Sequence, residues 1–460
     1  MWCALYLCCL LIVGCGAAKC LVRSRSWIEW AGWVLCLGPG VTGLCLVALS
    51  ILGWRPSRLA ILLLAAFFAV VAVVVRRTRS QESAPPAPPA AAPPPKWWTA
   101  LCLIAIAYGI FVVALDTLVY PTIEWDAFAI WQLKSKVLAS QPLWPRPAYF
   151  SNIALSFSHL RYPVLAPMIS AGVHAMVGRI DDELEKAPFL LFYLGLGAAV
   201  YAAIQSRRGT TAALSATALL MTTPLMLNYA GSGTAEMALT AFYGCSIIFI
   251  LRWQERQQIS DLIAASLLSA LMIWTKNEGY ALAAINVLAI LLLTPHPLRR
   301  RHLLAALACA LLIAALSVPW IWYAHPLPRT DENYMDRLRV GLMLANLRRL
   351  PLILGSLLTE AIRPDHWCIF WFLLPAAAIL NRRRPTQRPV VTLWILLAAQ
   401  LLAYVPPFLV VDLWKNVKEL LDVTTGRLLL HATPTAALLI GLQWPQLPRP
   451  AADRPAPMVH

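Results

Sequence analysis

The segment WTALCLIAIAYGIFVVALDTLVYPTIEWDAFAIWQLKSKVL, residues 98–138, contains the pattern that decides the fold. Its first part, residues 98–120, is almost wholly apolar, and about 20 such residues let a helix cross the hydrocarbon core of a bilayer. Two carboxylates, Glu124 and Asp126, follow between bulky aromatic side chains. The segment therefore predicts a transmembrane helix that brings two acidic side chains to the membrane surface.

Apolar runs of similar length recur along nearly the whole chain. Of its 460 residues, 60% are hydrophobic and 13% are charged, and the mean hydropathy is +0.66. An ordinary soluble domain has about 25% charged residues. The sequence therefore predicts an all-α polytopic membrane protein with about 13 transmembrane helices and no sizeable soluble domain. The candidate spans are 2–21, 28–50, 58–76, 98–120, 187–205, 211–228, 233–251, 260–275, 280–294, 303–323, 366–381, 389–411 and 428–444.

The basic residues form short clusters between the apolar runs, which is the positive-inside pattern that orients membrane helices. These clusters lie at 23–25, 76–79, 207–208, 299–301 and 382–384. The net charge is +16, but no basic stripe with interleaved aromatic residues lies on a polar domain, which argues against binding to nucleic acid. The eleven cysteines lack the paired spacing of a metal site. No metal site and no cofactor are predicted, and a metal requirement is left open.

The proline-dense stretch RRTRSQESAPPAPPAAAPPPK, at 76–96, is typical of an extended polyproline linker rather than a helix. Its arginines predict a cytoplasmic position. It divides the chain into four predicted parts: accessory transmembrane helices at 1–76, the linker at 77–97, the main transmembrane module at 98–444 and a proline-rich tail at 445–460.

This orientation sorts the polar loops by side. If the linker is cytoplasmic, the run at 98–120 leads outward, and the later arginine clusters fall inside only if the segment 163–178 does not cross. That segment is short and contains Pro163 and Pro167, so we expect it to be re-entrant or interfacial. The first large outer loop should then contain interfacial helices. Most carboxylates fall on the extracytoplasmic face, in the polar stretches 121–186, 228–236, 275–279, 324–365 and 412–427.

Asp126 and Glu124 are the candidate catalytic residues. An ionised carboxylate can accept the proton of a hydroxyl in the transition state if it is held in place, and Trp125 and Phe128 could stack on a sugar. The structural alternative is an interfacial helix with Asp126 near its N-terminus, stabilised by the helix dipole and flanked by an aromatic belt. The residues alone leave both interpretations open.

Six further residues are candidates for substrate binding, three of them before residue 240. Lys136 and Arg161 lie in the predicted outer loop, where cations can bind a phosphate head group or simply extend to the interface. Glu236 opens an apolar helix after GSGTA, where it could contact a ligand or stabilise the helix N-terminus.

The other three candidates lie in the second half of the module. In WTKNEGYAL, at 274–282, Lys276 and Glu278 stand between two apolar runs, where a charge within the membrane costs a few kcal/mol unless it is paired. They form either a tight hairpin or a contact to lipid-linked phosphate. Arg427 lies at the start of the last apolar run and has a planar fork suited to phosphate, while His431, one turn inward, is a weaker candidate.

In their order, these motifs resemble the polytopic GT-C glycosyltransferases, a group that includes protein mannosyltransferases, aminoarabinose transferases and rhizobial lipopolysaccharide glycosyltransferases. The resemblance covers roughly residues 98–440 and departs from the usual module in its three extra N-terminal helices. Many relatives have adjacent Asp-Glu where this chain has Glu-Trp-Asp, which leaves open whether Glu124 or Asp126 is the base. The matching motifs are the Glu124/Asp126 pair, Tyr162-Pro163, GSGTAEMALT at 231–240, TKNEG at 275–279 and RLLLHATP at 427–434.

The resemblance implies transfer of a hexosyl or pentosyl group from a polyprenyl-phosphate sugar to an extracytoplasmic glycan, lipid or protein. Asp126 would deprotonate the acceptor hydroxyl for inverting attack, and Lys276 and Arg427 would stabilise the departing phosphate. The composition suits a bacterial inner membrane with the site facing the periplasm or exterior. The alternatives are a transporter or flippase for lipid-linked glycans, a ligase or polymerase acting on them, and a non-catalytic assembly subunit.

Overall fold

The computed structural model describes residues 1–24, 26–78, 93–293, 300–328, 337–382, 387–411 and 417–444. Across these ranges the chain forms helices and no strand, which confirms the predicted all-α class. Residues 79–92 of the proline-rich linker and the whole tail at 445–460 lie outside the described residues.

The α-helices follow one another in chain order with short connections. They are α1 Trp2–Leu21, α2 Trp27–Ile51, α3 Arg58–Thr78, α4 Lys96–Val119, α5 Leu133–Ser140, α6 Ala148–Ser151, α7 Leu165–Val177, α8 Phe189–Arg208, α9 Thr210–Met221, α10 Pro224–Gly231, α11 Glu236–Arg256, α12 Ile259–Thr275, α13 Glu278–Leu292, α14 Arg300–Ala324, α15 Val340–Ala345, α16 Leu350–Ala361, α17 Pro364–Trp367, α18 Phe370–Leu380, α19 Arg388–Ala403, α20 Val405–Val410 and α21 Val417–Leu442.

Eight helical spans within the described ranges are long and apolar enough to cross a membrane, and the bent pair α9–α10 makes a ninth if it counts as one span. The eight are α1, α2, α3, α4, α8, α11, α14 and the segment Arg388–Val410 formed by α19 and α20. The predicted spans at 260–275, 280–294 and 366–381 correspond to the shorter apolar helices α12, α13 and α18. Length and composition alone therefore account for eight or nine of the 13 predicted spans.

The span predicted at 211–228 is not one straight helix but two helices, α9 and α10, bent by 62°. Pro224, the first residue of α10, has no backbone N–H to donate into the preceding turn. The hydroxyls of Thr222 and Thr223 donate instead to the carbonyls of Ala218 and Leu219, at 2.7 and 2.8 Å. The bend brings α10 against α4, beside the outer loop.

The segment 163–178 forms α7, a buried helix of 13 residues. At about 1.5 Å per residue it is too short to cross a bilayer, in agreement with the expectation that it does not span. Its C-terminal carbonyls are capped by Arg58 of α3, whose Nε and Nη2 donate to Met176 and Val177 at 2.7 and 2.8 Å.

The three N-terminal helices share one hydrophobic core with the rest of the described chain. At one end of α2, Glu29 forms an ion pair with Arg252 of α11, whose Nε lies 3.0 Å from Asp261 of α12. At the other end, Ser50 Oγ accepts a hydrogen bond from the backbone N–H of Leu143 at 2.7 Å. These helices therefore contact the module at both ends of α2.

Arg252 should be a strong stability determinant. Replacing it with Met leaves two buried carboxylates without their cation, a change that typically costs about 3–5 kcal/mol. Thermal unfolding of the purified protein in detergent should show a large loss for Arg252→Met. Arg207→Met breaks the more exposed pair with Glu255 and should show a much smaller loss. Equal losses in the two variants would contradict the structural role of Arg252.

Candidate active site

The outer loop begins with a seven-residue stretch that leads from α4 to Asp126. Asp126 precedes a single π-helical turn, Ala127–Gln132, closed by Leu133 N–H donating to the carbonyl of Phe128. Such turns are rare and frequent at functional sites. The turn is anchored by buried Ile130 and Trp131. Because the Asp126 side chain makes no hydrogen bond to the helix N-terminus, the helix-capping alternative does not explain this residue.

Asp126 forms an ion pair with Arg427 of α21, 301 positions later in the chain. Each side chain is 26% exposed, so the pair lies at a partly open surface. The same guanidinium lies 3.8 Å from Glu236 Oε1 and hydrogen-bonds to the Tyr229 hydroxyl. Arg427 therefore joins the outer loop to the buried start of α11.

Glu236 and Lys276 form the inner part of this arrangement. Glu236 is the first residue of α11 and its side chain is 1% exposed. Lys276, between α12 and α13, places Nζ 3.0 Å from Glu236 Oε1 and 2.9 Å from Glu278 Oε1. The Lys276–Glu278 hairpin predicted as the structural alternative thus exists, but it also extends to a third residue on another helix.

Glu124 completes the group. It is half-buried and lies within electrostatic reach of Glu236, Arg427 and Asp126. Burial, reinforced by the carboxylate of Glu236, raises the pKa of Glu124 above its ordinary value. We call the six residues Glu124, Asp126, Glu236, Lys276, Glu278 and Arg427 the charge cluster. It comprises four carboxylates and two cations.

Two predicted binding residues have other partners. Lys136 forms an ion pair with Asp182 at 2.8 Å. Arg161 donates from Nε and Nη2 to the backbone carbonyls of Leu327 and His325, at 2.9 and 2.8 Å. The structure therefore does not bring Lys136 and Arg161 into the charge cluster, and their observed contacts fasten the outer loop.

Sequence reasoning missed a second ion pair beside the charge cluster. Lys186 Nζ lies 2.6 Å from Asp116 Oδ1, and Asp116 is close enough to influence Glu124. Asp116 packs so tightly on Gly231 that a Cβ there would lie 1.9 Å from Asp116 Oδ2. A signal was present, because an acidic residue within an apolar span is usually paired and functional.

His431, the weaker sequence candidate, is fully buried one turn inward from Arg427. Neither ring nitrogen has a hydrogen-bond partner among the described residues. The ring lies within electrostatic reach of Lys276, Glu278 and Glu236. It therefore lines the membrane side of the charge cluster without taking part in its ion pairs.

The cluster combines groups suited to two tasks. Carboxylates at its open edge can accept a proton, and fixed cations behind them can stabilise negative charge on a departing oxygen. No group of three or more His, Cys, Asp or Glu side chains in the described ranges is arranged to hold a metal ion. The chemistry available to these residues is therefore proton acceptance beside an anion-binding site.

Comparison with known proteins supports the same class. Residues 161–323 match the family model for dolichyl-phosphate-mannose-protein mannosyltransferase. The crystal structure of ArnT from Cupriavidus metallidurans bound to undecaprenyl phosphate is similar, with a TM-score of 0.51 and 18% sequence identity. The match covers 76% of this chain and 60% of the ArnT chain. No curated protein sequence is significantly similar.

The family match includes Glu236, Lys276 and Glu278 but ends before Arg427 and begins after Asp126. The structural match extends the likeness beyond that range, over three quarters of the chain. The resemblance indicated by the sequence is confirmed: the chain has an ArnT-like polytopic fold of the GT-C type, and its residues 161–323 match the mannosyltransferase family model.

Proposed function

We propose that the protein is a membrane glycosyltransferase that moves a sugar from a polyprenyl-phosphate donor to an extracytoplasmic acceptor by inverting attack. The observation that carries this proposal is the contact between Asp126 and Arg427. It places a proton-accepting group against a phosphate-binding group at a partly open surface. Transfer from a sugar phosphate to a hydroxyl needs these two groups side by side.

The donor side of the reaction uses the cations. When the bond between the anomeric carbon and the phosphate oxygen breaks, negative charge develops on the phosphate, and Arg427 and Lys276 are fixed close enough together to share it. Lys186, held by Asp116, is a third cation at the same edge. The undecaprenyl phosphate bound to ArnT supports a polyprenyl phosphate as the leaving group.

The acceptor side uses the carboxylates. Asp126 takes the proton of the acceptor hydroxyl as its oxygen attacks the anomeric carbon from the face opposite the phosphate. The released polyprenyl phosphate carries away the electron pair of the broken bond. Trp125 and Phe128 are 65% and 45% exposed beside Asp126, and their edge-to-face arrangement offers an aromatic surface for a sugar ring.

The position of the charges favours transfer over transport. Transporters for charged substrates usually bind them near the bilayer midplane. Here Glu124 and Asp126 follow the end of α4, Glu236 begins α11, and Lys276 separates α12 from α13. The charges therefore gather at helix ends, on the side assigned to the cell exterior. In a bacterial inner membrane this side would face the periplasm.

The transfer reaction itself should depend on Asp126. In membranes with matched expression, Asp126→Asn should lower transfer of labelled sugar from polyprenyl-phosphate donors by about 100-fold or more, the usual contribution of a general base. Asp422→Asn removes an exposed carboxylate from α21, so it should retain most of the activity. Full activity in Asp126→Asn together with loss in Glu124→Gln would assign the base to Glu124 instead.

The pH dependence should report Glu124. Its carboxyl is neutral below its raised pKa, so the cluster loses one negative charge as the pH falls. If the ionised form supports transfer, the rate should fall through a midpoint above the ordinary glutamate value of about 4.3. Glu124→Gln should abolish this acidic limb. An unchanged limb in that variant would exclude Glu124 as its source.

A further inference from the structure

Both cations of the charge cluster are already paired with carboxylates. Lys276 has two, Glu236 and Glu278, and Arg427 has Asp126 in direct contact and Glu236 at 3.8 Å. Four carboxylates around two cations leave an excess of negative charge. An anionic phosphate can therefore approach Arg427 closely only if one carboxylate moves aside.

The burial of the carboxylates indicates which one can move. Glu236 is 1% exposed and begins α11, whose apolar core is completely buried. Asp126 is 26% exposed and follows Ile123 and Trp125, whose side chains extend into the surroundings. Turning Asp126 outward returns a carboxylate to water, whereas moving Glu236 would strand a charge in the core.

We propose that the donor phosphate replaces Asp126 on Arg427, and that this exchange releases the Asp126 carboxylate to act as the base. The inference rests on the proposed function and specifies how the same site is regulated. Arg427 keeps its contacts to Glu236 and Tyr229, so the guanidinium stays in place while one of its anionic partners changes.

The exchange couples donor binding to proton acceptance. A guanidinium stabilises the ionised form of a carboxylate and so makes it a weaker proton acceptor. While Asp126 is paired with Arg427, it is held away from an acceptor hydroxyl. Once phosphate occupies the guanidinium, the freed carboxylate lies beside the donor. Binding of the donor then precedes activation of the acceptor.

The test is equilibrium binding of a polyprenyl phosphate to the full-length protein in nanodiscs. If Asp126 competes with phosphate, Asp126→Asn should bind about three- to tenfold more tightly than wild type, since one partly buried ion pair no longer opposes binding. Asp126→Ala should behave alike. In an Arg427→Gln background, Asp126→Asn should give no gain, because the competing pair no longer exists.

Glu124→Gln is the matched control. It removes a carboxylate two positions away, one that acts on Arg427 without an ion pair among the described contacts, so it should tighten binding much less. Equal gains from Glu124→Gln and Asp126→Asn would overturn the exchange in favour of a general charge effect. Binding by wild type with no gain in Asp126→Asn or Asp126→Ala would overturn the exchange alone. Absence of binding in every variant would overturn the proposed donor class as well.

Discussion

A charged side chain at the edge of a membrane must be paired or hydrated, because the alternative is an isolated charge in a medium of low dielectric constant. This chain meets the requirement with one connected series of contacts. Asp126 contacts Arg427, Arg427 lies near Glu236, and Glu236 binds Lys276, which also binds Glu278. The series ties the outer loop, α21, α11 and the α12–α13 turn to each other. Segments that are far apart in sequence thereby become a single site.

The same pairing rule explains how the N-terminal helices support that site. Glu29 and Asp261 hold Arg252 at one end of the helices, while Ser50 binds the backbone of the outer loop at the other. Arg58 caps α7, which packs against α5 of that loop. The loop that carries Asp126 is thus braced by helices that precede the proline-rich linker. Their division from the main module remains a prediction from composition.

Much of this could be predicted from sequence because apolar length and arginine position are local signals. The helices, the short α7 and the importance of Glu236, Lys276 and Arg427 follow from such signals. Partners were harder to predict. Lys136 and Arg161 looked equivalent to Lys276, since a lysine or arginine near an interface carries no mark of its neighbour.

Two further features depend on geometry that a linear pattern does not show. The bend at Pro224 arises where a helix already turned by threonine hydroxyls meets a residue without an N–H. The pairing of Asp116 with Lys186 brings together residues 70 positions apart over a glycine that leaves no room for a side chain. Periodicity gives the face of a helix, and it does not give the identity of the residue opposite.

The most direct test of the account is a stoichiometric measurement in one set of vesicles. Labelled polyprenyl-phosphate sugar is supplied, and both the sugar gained by acceptors and the polyprenyl phosphate released are counted. The account predicts that the two quantities rise one to one and that both fall together in Asp126→Asn. Movement of intact donor across the membrane without release of polyprenyl phosphate would contradict it in favour of transport. Release of a polyprenyl diphosphate with transfer of a whole glycan would contradict it in favour of a ligase.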